Sequence, residues 1–156
     1  MNTIAHALFA NLLLLLGAPE MATPANLVIN VVAAVAVDLD HIPSLGKAVR
    51  TLRFGQSSRS RWHELQGLLV SMIISVLATL YSPELGRVIL MGSVSHYFLD
   101  LATRPTRPLY PLNDVTVFLE MAPMSLRGLF AYDTVLTVTM GVIWLWSLNG
   151  LGLLRL

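Results

Sequence analysis

The sequence predicts an all-α helical bundle built into a membrane, and three observations predict it. Hydrophobic residues make up 55% of the chain and charged ones only 12%, about half the charge of an ordinary soluble domain. The mean hydropathy is +0.69. The apolar residues fall into long runs separated by proline, glycine and polar turns, with Lys and Arg concentrated on alternate connections. At 156 residues the chain reads as one membrane-embedded domain over 1–156, with about five spans.

The first apolar run covers 4–17 and is closed by Gly17-Ala18-Pro19. It has no Lys or Arg ahead of it, and His6 and Asn11 interrupt it, which argues against a cleaved signal peptide. The second span, 24–41, ends in Asp38-Leu39-Asp40-His41 before Pro43, which stops it. Both runs fall short of the ~20 residues that cross a bilayer unless their polar ends are counted in. That is the pattern of helices whose ends line a shielded cavity.

A polar loop over 42–62 carries Lys47, Arg50, Arg53, Arg59 and Arg61 and no acidic residue. The third span is 62–81, and the turn Ser82-Pro83-Glu84 leads into the fourth, 85–102. The stretch Arg104 to Pro111 holds too many prolines for a helix. A short interfacial helix is expected over 113–121, and the last span is 127–148. Trp144 and Trp146 are expected in an aromatic belt at its far end.

The positive-inside rule puts the 42–62 loop in the cytoplasm. The N-terminus and the 103–127 connection then share that side, and the C-terminus lies outside. Eight of the ten Lys and Arg residues fall on the cytoplasmic side, leaving Arg87 and Arg155. The net charge of +1 says nothing in favour of nucleic acid, whose binders need a concentrated basic face, and none is expected; the partner to expect is the lipid bilayer.

On this topology every histidine comes to one depth. His6 opens the first helix there, and Asp38, Asp40 and His41 close the second. His63 and Glu64 begin the third, and His96 and Asp100 lie in the last turns of the fourth. His96 and Asp100 are four apart and share a helical face, as do Asp38 and His41 at three apart; Asp40 joins them only if the helix unwinds. With no cysteine in the chain, a metal would be held by imidazole and carboxylate, which suits zinc, manganese or iron. His6, Asp38, Asp40, His41, His63, His96 and Asp100 are the expected ligands, enough for one or two ions. Three buried aspartates would cost ~8–10 kcal/mol on insertion scales, which a divalent ion worth on the order of 10 kcal/mol offsets. The plainer alternative is a set of interhelical Asp–His hydrogen bonds.

Smaller readings follow. Glu64 serves either as a helix-start charge or in the site, and Asp133 as a cap or behind the ligands. Asn11 and Asn30 are expected to hydrogen-bond between helices. Arg104 and Arg107 follow Asp100 closely, where a substrate phosphate would want guanidinium donors.

The ordered set His6, Asp38-Leu39-Asp40-His41, Arg59-Ser60-Arg61-Trp62-His63, Ser95-His96 with Asp100 and Thr103, and Pro108-Leu109-Tyr110-Pro111 resembles the YdjM-like family. Those are bacterial and archaeal membrane-bound proteins described as metal-dependent hydrolases and weakly similar to zinc-dependent phospholipases C. The resemblance covers roughly 1–112. One element departs: where the family reads His-Arg-Gly-x-Thr-His-Ser, this chain has Ser58-Arg59-Ser60-Arg61-Trp62-His63-Glu64. Glu64 then stands in for a lost donor or supplies a general base.

The resemblance implies a hydrolase of the inner membrane of a prokaryote, with zinc as the first expectation for its metal. It implies hydrolysis of a phosphoester, such as a phospholipid head group, at the cytoplasmic leaflet. Glu64 and Arg59 are its catalytic candidates, and Arg59, Arg104 and Arg107 would hold an anionic substrate. The same polar layer would also serve a divalent-metal or proton transporter, or a metal-stabilised scaffold without catalysis.

Overall fold

A computed structural model describes residues 3–40, 64–103, 105–117, 119 and 126–153. Among these residues the architecture is all-helical: α1 (Thr3–Gly17), α2 (Pro24–Ala36), α3 (Leu65–Tyr81), α4 (Pro83–Thr103) and α5 (Leu126–Gly150). Short 3-10 turns occupy Pro19–Met21 and Val37–Asp40.

Helix α4 is the hub. It packs against α1, α2 and α3, while α5 lies along the outer side of α1. The contacts with α2 and α3 depend on glycine. A Cβ on Gly92 would fall onto the Asn30 carbonyl oxygen and lie 2.9 Å from Ala33 Cβ. A Cβ on Gly86 would strike the Thr79 hydroxyl and lie 2.7 Å from the Ser75 carbonyl oxygen. Small residues at the crossing let apolar helices approach closely where no hydrophobic force drives them together.

At the end of the bundle near the turn 18–23, Thr23 caps α2 by accepting from the Asn26 backbone N–H at 3.2 Å, with Pro24 in the first turn. The Asn26 side chain donates to the Met21 carbonyl oxygen and to Glu84, tying α2 to the start of α4. Below this tie a cluster of Leu14, Leu15, Met21, Leu27 and Val88 fills the centre. A second cluster of Ala5, Leu12 and Met140 joins α1 to α5. Asn30 Nδ2 donates to Asn11 Oδ1 at 3.2 Å within the bundle, as the sequence leads one to expect.

The outward surface is apolar. Leu80, Tyr81 and Trp146 are 81%, 89% and 73% exposed, which makes sense only beside hydrocarbon or another protein. Of the two tryptophans near the end of α5, Trp144 packs against both core clusters and Trp146 is exposed. By length and composition, Arg127–Gly150 is the one described helix able to cross a membrane unaided. Helices α1, α2 and α3 are shorter, at 15, 13 and 17 residues. Helix α4 has the length but breaks its apolar run with Glu84, Arg87, His96 and Asp100.

Two expectations about local structure change. The α-helix expected to reach 41 stops at Ala36 and tightens into the 3-10 turn. The interfacial helix expected over 113–121 is absent from 113–117. Asn113 Oδ1 instead accepts from the Val115 N–H at 2.8 Å, and Val117 exchanges backbone hydrogen bonds with Thr106. Asx-turn chemistry competes with a helix start at this position.

Candidate metal centre

Helix directions place the N-terminus of α1, the end of the Val37–Asp40 turn, the start of α3 and the end of α4 together. From this layer three side chains converge. His6, Asp38 and His96 each offer one ligand atom within 4.8 Å of the others. His6 and His96 are 1% and 0% exposed, and Asp38 is half-buried. The two imidazoles stack, with centroids 3.9 Å apart and planes at 18°.

Two chemistries are open to such a group, hydrogen bonding and shared ligation. His6 Nε2 lies 3.5 Å from Asp100 Oδ1. His96 Nε2 lies 3.8 Å from Asp38 Oδ1 and 4.0 Å from Asp100 Oδ2. Direct hydrogen bonds would be about 2.7–3.2 Å. Ligands ~2.0–2.2 Å from a tetrahedral zinc stand roughly 3.3–3.6 Å from one another. Within the set of three, the His96–Asp38 separation of 3.8 Å lies a little beyond the second range, and the other ligand atoms lie within 4.8 Å. Two imidazoles and a carboxylate so placed could hold a divalent ion.

Asp100 contacts both imidazoles without joining the common set of three, so the four-apart pair on α4 does not by itself form the cradle. Asp38, from the 3-10 turn after α2, completes it. Thr3 was not singled out in the sequence, yet its hydroxyl donates to Asp38 Oδ2 at 3.0 Å. That fixes the carboxylate and leaves Oδ1 towards His96, the orienting role outer hydrogen bonds play at metal sites. The signal was available: Thr3 and His6 are three apart on one helical face. Ser95 and Thr103 flank the α4 pair but turn their hydroxyls onto their own helix, at the Gly92 and Leu99 carbonyl oxygens, both at 2.7 Å.

Glu64 and Arg107 meet each other. Glu64, only 6% exposed, accepts at Oε1 from Arg107 Nε at 3.0 Å and Nη2 at 2.9 Å. The guanidinium expected at a substrate phosphate thus has a protein partner, and it also lies 4.4 Å from the Tyr110 ring centre. The Asp133 backbone oxygen accepts from the Thr137 hydroxyl at 2.6 Å. His41, Arg59, His63, Arg104 and the Asp40 side chain lie outside the described residues.

Against this geometry, the family model described as YdjM inner membrane protein matches residues 1–154. The chain belongs to that family. The match runs well beyond the 1–112 that carry the motifs, so α5 is part of the family's shared chain rather than an appendage. Membership gives a lipid-bilayer setting and an inner-membrane location. No curated protein and no solved structure matches the chain.

Proposed function

We propose that this chain is a membrane-embedded, metal-dependent hydrolase of a phosphoester. The observation that carries the reading is the His6–Asp38–His96 cradle, buried imidazoles and a carboxylate whose ligand atoms lie within 4.8 Å of one another. His6 and His96 would bind through Nε2 and Asp38 through Oδ1. Thr3 holds Asp38 in position, and Asp100 sets its negative charge against both imidazoles. Once bound, a zinc, manganese or iron ion supplies Lewis acidity towards a phosphoryl oxygen and activates water. Three protein ligands leave a coordination position for that chemistry.

In this reading all five helices form a bundle in the inner membrane, with the cradle at the cytoplasmic leaflet. The asymmetry of Lys and Arg supports that orientation. The shortness of α1 and α2 supports a cavity at the leaflet, because their polar ends then face protein rather than hydrocarbon.

A second reading, ion transit, draws on one observation. Buried polar groups continue from His6 through the Asn11–Asn30 bond to Asn26, which donates to the exposed Glu84 at the opposite end. Such a column suits a proton or cation path, although its middle is carboxamide and carries no charge.

Elemental analysis of the purified protein tests the first reading, for wild type and for Asp38→Asn. About one or two ions per chain in wild type, and a tenth of that in the variant, is expected. Metal-replete wild type without stoichiometric metal overturns it. Metal-loaded protein that cleaves no phosphoester in a phosphatase and phospholipase screen, yet moves the ion into proteoliposomes, selects the second.

A further inference from the structure

Helix α4 ends at Thr103, and the chain that follows folds into a closed loop over 105–117. Thr106 and Val117 close it by exchanging backbone hydrogen bonds at 2.9 and 2.8 Å. Arg107 ties it to the bundle through Glu64 at the start of α3. Between those fastenings the loop shows aliphatic side chains to its surroundings. Leu109, Leu112 and Val115 are 52%, 81% and 59% exposed.

A loop made for water leaves its backbone amides to the solvent. Here much of the backbone is spent internally. The Tyr110 N–H donates to the Arg107 carbonyl oxygen at 3.0 Å. The Leu112 and Asn113 N–H groups both donate to the Leu109 carbonyl oxygen, at 2.8 and 3.1 Å. The Asn113 side chain takes the Val115 N–H, and Pro105, Pro108 and Pro111 have no N–H to satisfy. A backbone satisfied in this way, carrying exposed aliphatics, suits a layer poorer in water than bulk solvent.

The length of α4 says which layer. Its 21 residues rise roughly 31 Å at ~1.5 Å each, close to the ~30 Å of hydrocarbon in a bilayer. With the bundle in the membrane as proposed above, the loop leaves α4 at the head-group boundary. Tyr110, whose ring centre lies 4.4 Å from the Arg107 guanidinium, is of the type that collects there. Charge does not decide the contact, because Arg107 and Asp114 are the loop's charges and cancel.

We infer that the 105–117 loop is a membrane-interface anchor. Leu109, Leu112 and Val115 seat among the head groups and the tops of the acyl chains. The loop meets the leaflet as a surface, with no head group selected and no lipid held as substrate. This contact rests on the bundle lying in the membrane and on nothing in the metal chemistry.

The chain has no cysteine, so one introduced thiol takes one label. Leu112→Cys and Val115→Cys, each carrying an environment-sensitive nitrobenzoxadiazole, go into phosphatidylcholine vesicles brominated either near the ester or near the methyl end of the acyl chains. A loop seated ~5–10 Å into the boundary should be quenched about threefold more by the near-ester bromines. Salt at about 1 M, where the Debye length is ~3 Å, should leave that ratio unchanged. Ile73→Cys, at a position 58% exposed in the middle of α3, should be quenched more by the near-methyl set.

Quenching at 112 and 115 by aqueous iodide and not by bromine overturns the inference. Protection from both quenchers overturns it too, since protein would then cover the loop. Loss of bromine quenching in salt does the same. Bromine quenching at 73 with none at 112 and 115 sinks the anchor alone; the reverse leaves the anchor standing and sinks the bundle reading.

Discussion

His6 and His96 stack ring on ring, 3.9 Å between centroids, and through their Nε2 atoms both address Asp100 at 3.5 and 4.0 Å. Replacing one ring by a benzene separates packing from ligation. His96→Phe is expected to keep the fold and the stack, yet lower metal affinity by at least about 100-fold, the upper end of what orienting partners contribute. In wild type, metal at about a hundred times its Kd should stabilise by ~2.7 kcal/mol. Chelation should therefore lower the Tm of wild type and leave that of His96→Phe unmoved; equal shifts in both would refute the ligand role.

Thr3 contributes one hydrogen bond at the edge of the site, to Asp38 Oδ2. Thr3→Val removes the hydroxyl and keeps the shape. Metal affinity, read by competition with a chelating dye, should fall ~10–100-fold, with helix content unchanged. Thr3→Ser should restore most of it.

Gly92 allows α4 to lie against α2, and hence His96 to reach Asp38. In Gly92→Ala the new methyl meets the Asn30 carbonyl oxygen and Ala33. A loss of about 1–3 kcal/mol is expected from overpacking, together with weakened metal binding as the two helices part. Gly150→Ala, where nothing lies within 4 Å, is the matched control and should leave both measurements unchanged.

The Asn11–Asn30 bond joins α1 to α2 within the bundle. A double-mutant cycle with alanine at each position, followed by unfolding in detergent, should give a coupling energy of ~0.6–1.7 kcal/mol. A coupling near zero would mean that the two carboxamides pack without cooperating.

The metal layer was legible because its residues violate their surroundings. Histidine and aspartate in apolar helices are expensive, so His6, Asp38, His96 and Asp100 announce themselves, and counting spans brings them to one end. The packing of the tryptophans is less legible. A tryptophan in an apolar helix satisfies a belt and a core equally, and only α1 against α5 decides that Trp144 turns inward. The pairing of Glu64 with Arg107 depends on a fold-back after α4, where Thr106 meets Val117. No periodicity records such a long-range bridge. Asn113 and Asp114 suit the start of a helix by sequence, whereas the side chain of Asn113 satisfies the backbone of Val115 and starts a turn.

The walls of the cradle come from α1, α2 and α4, and this orders events during synthesis. A ribosome extending the chain at ~5–20 residues per second makes His6 on the order of ten seconds before Asp100. Over that interval Asp38 is already in place while the imidazole that faces it has yet to be translated. All four residues have been made before the first turn of α5 exists. The nascent chain thus acquires its ion-binding chemistry before its last hydrophobic helix, and on the proposed reading the metal supply available during those seconds governs how long buried carboxylates stay uncompensated in the bilayer.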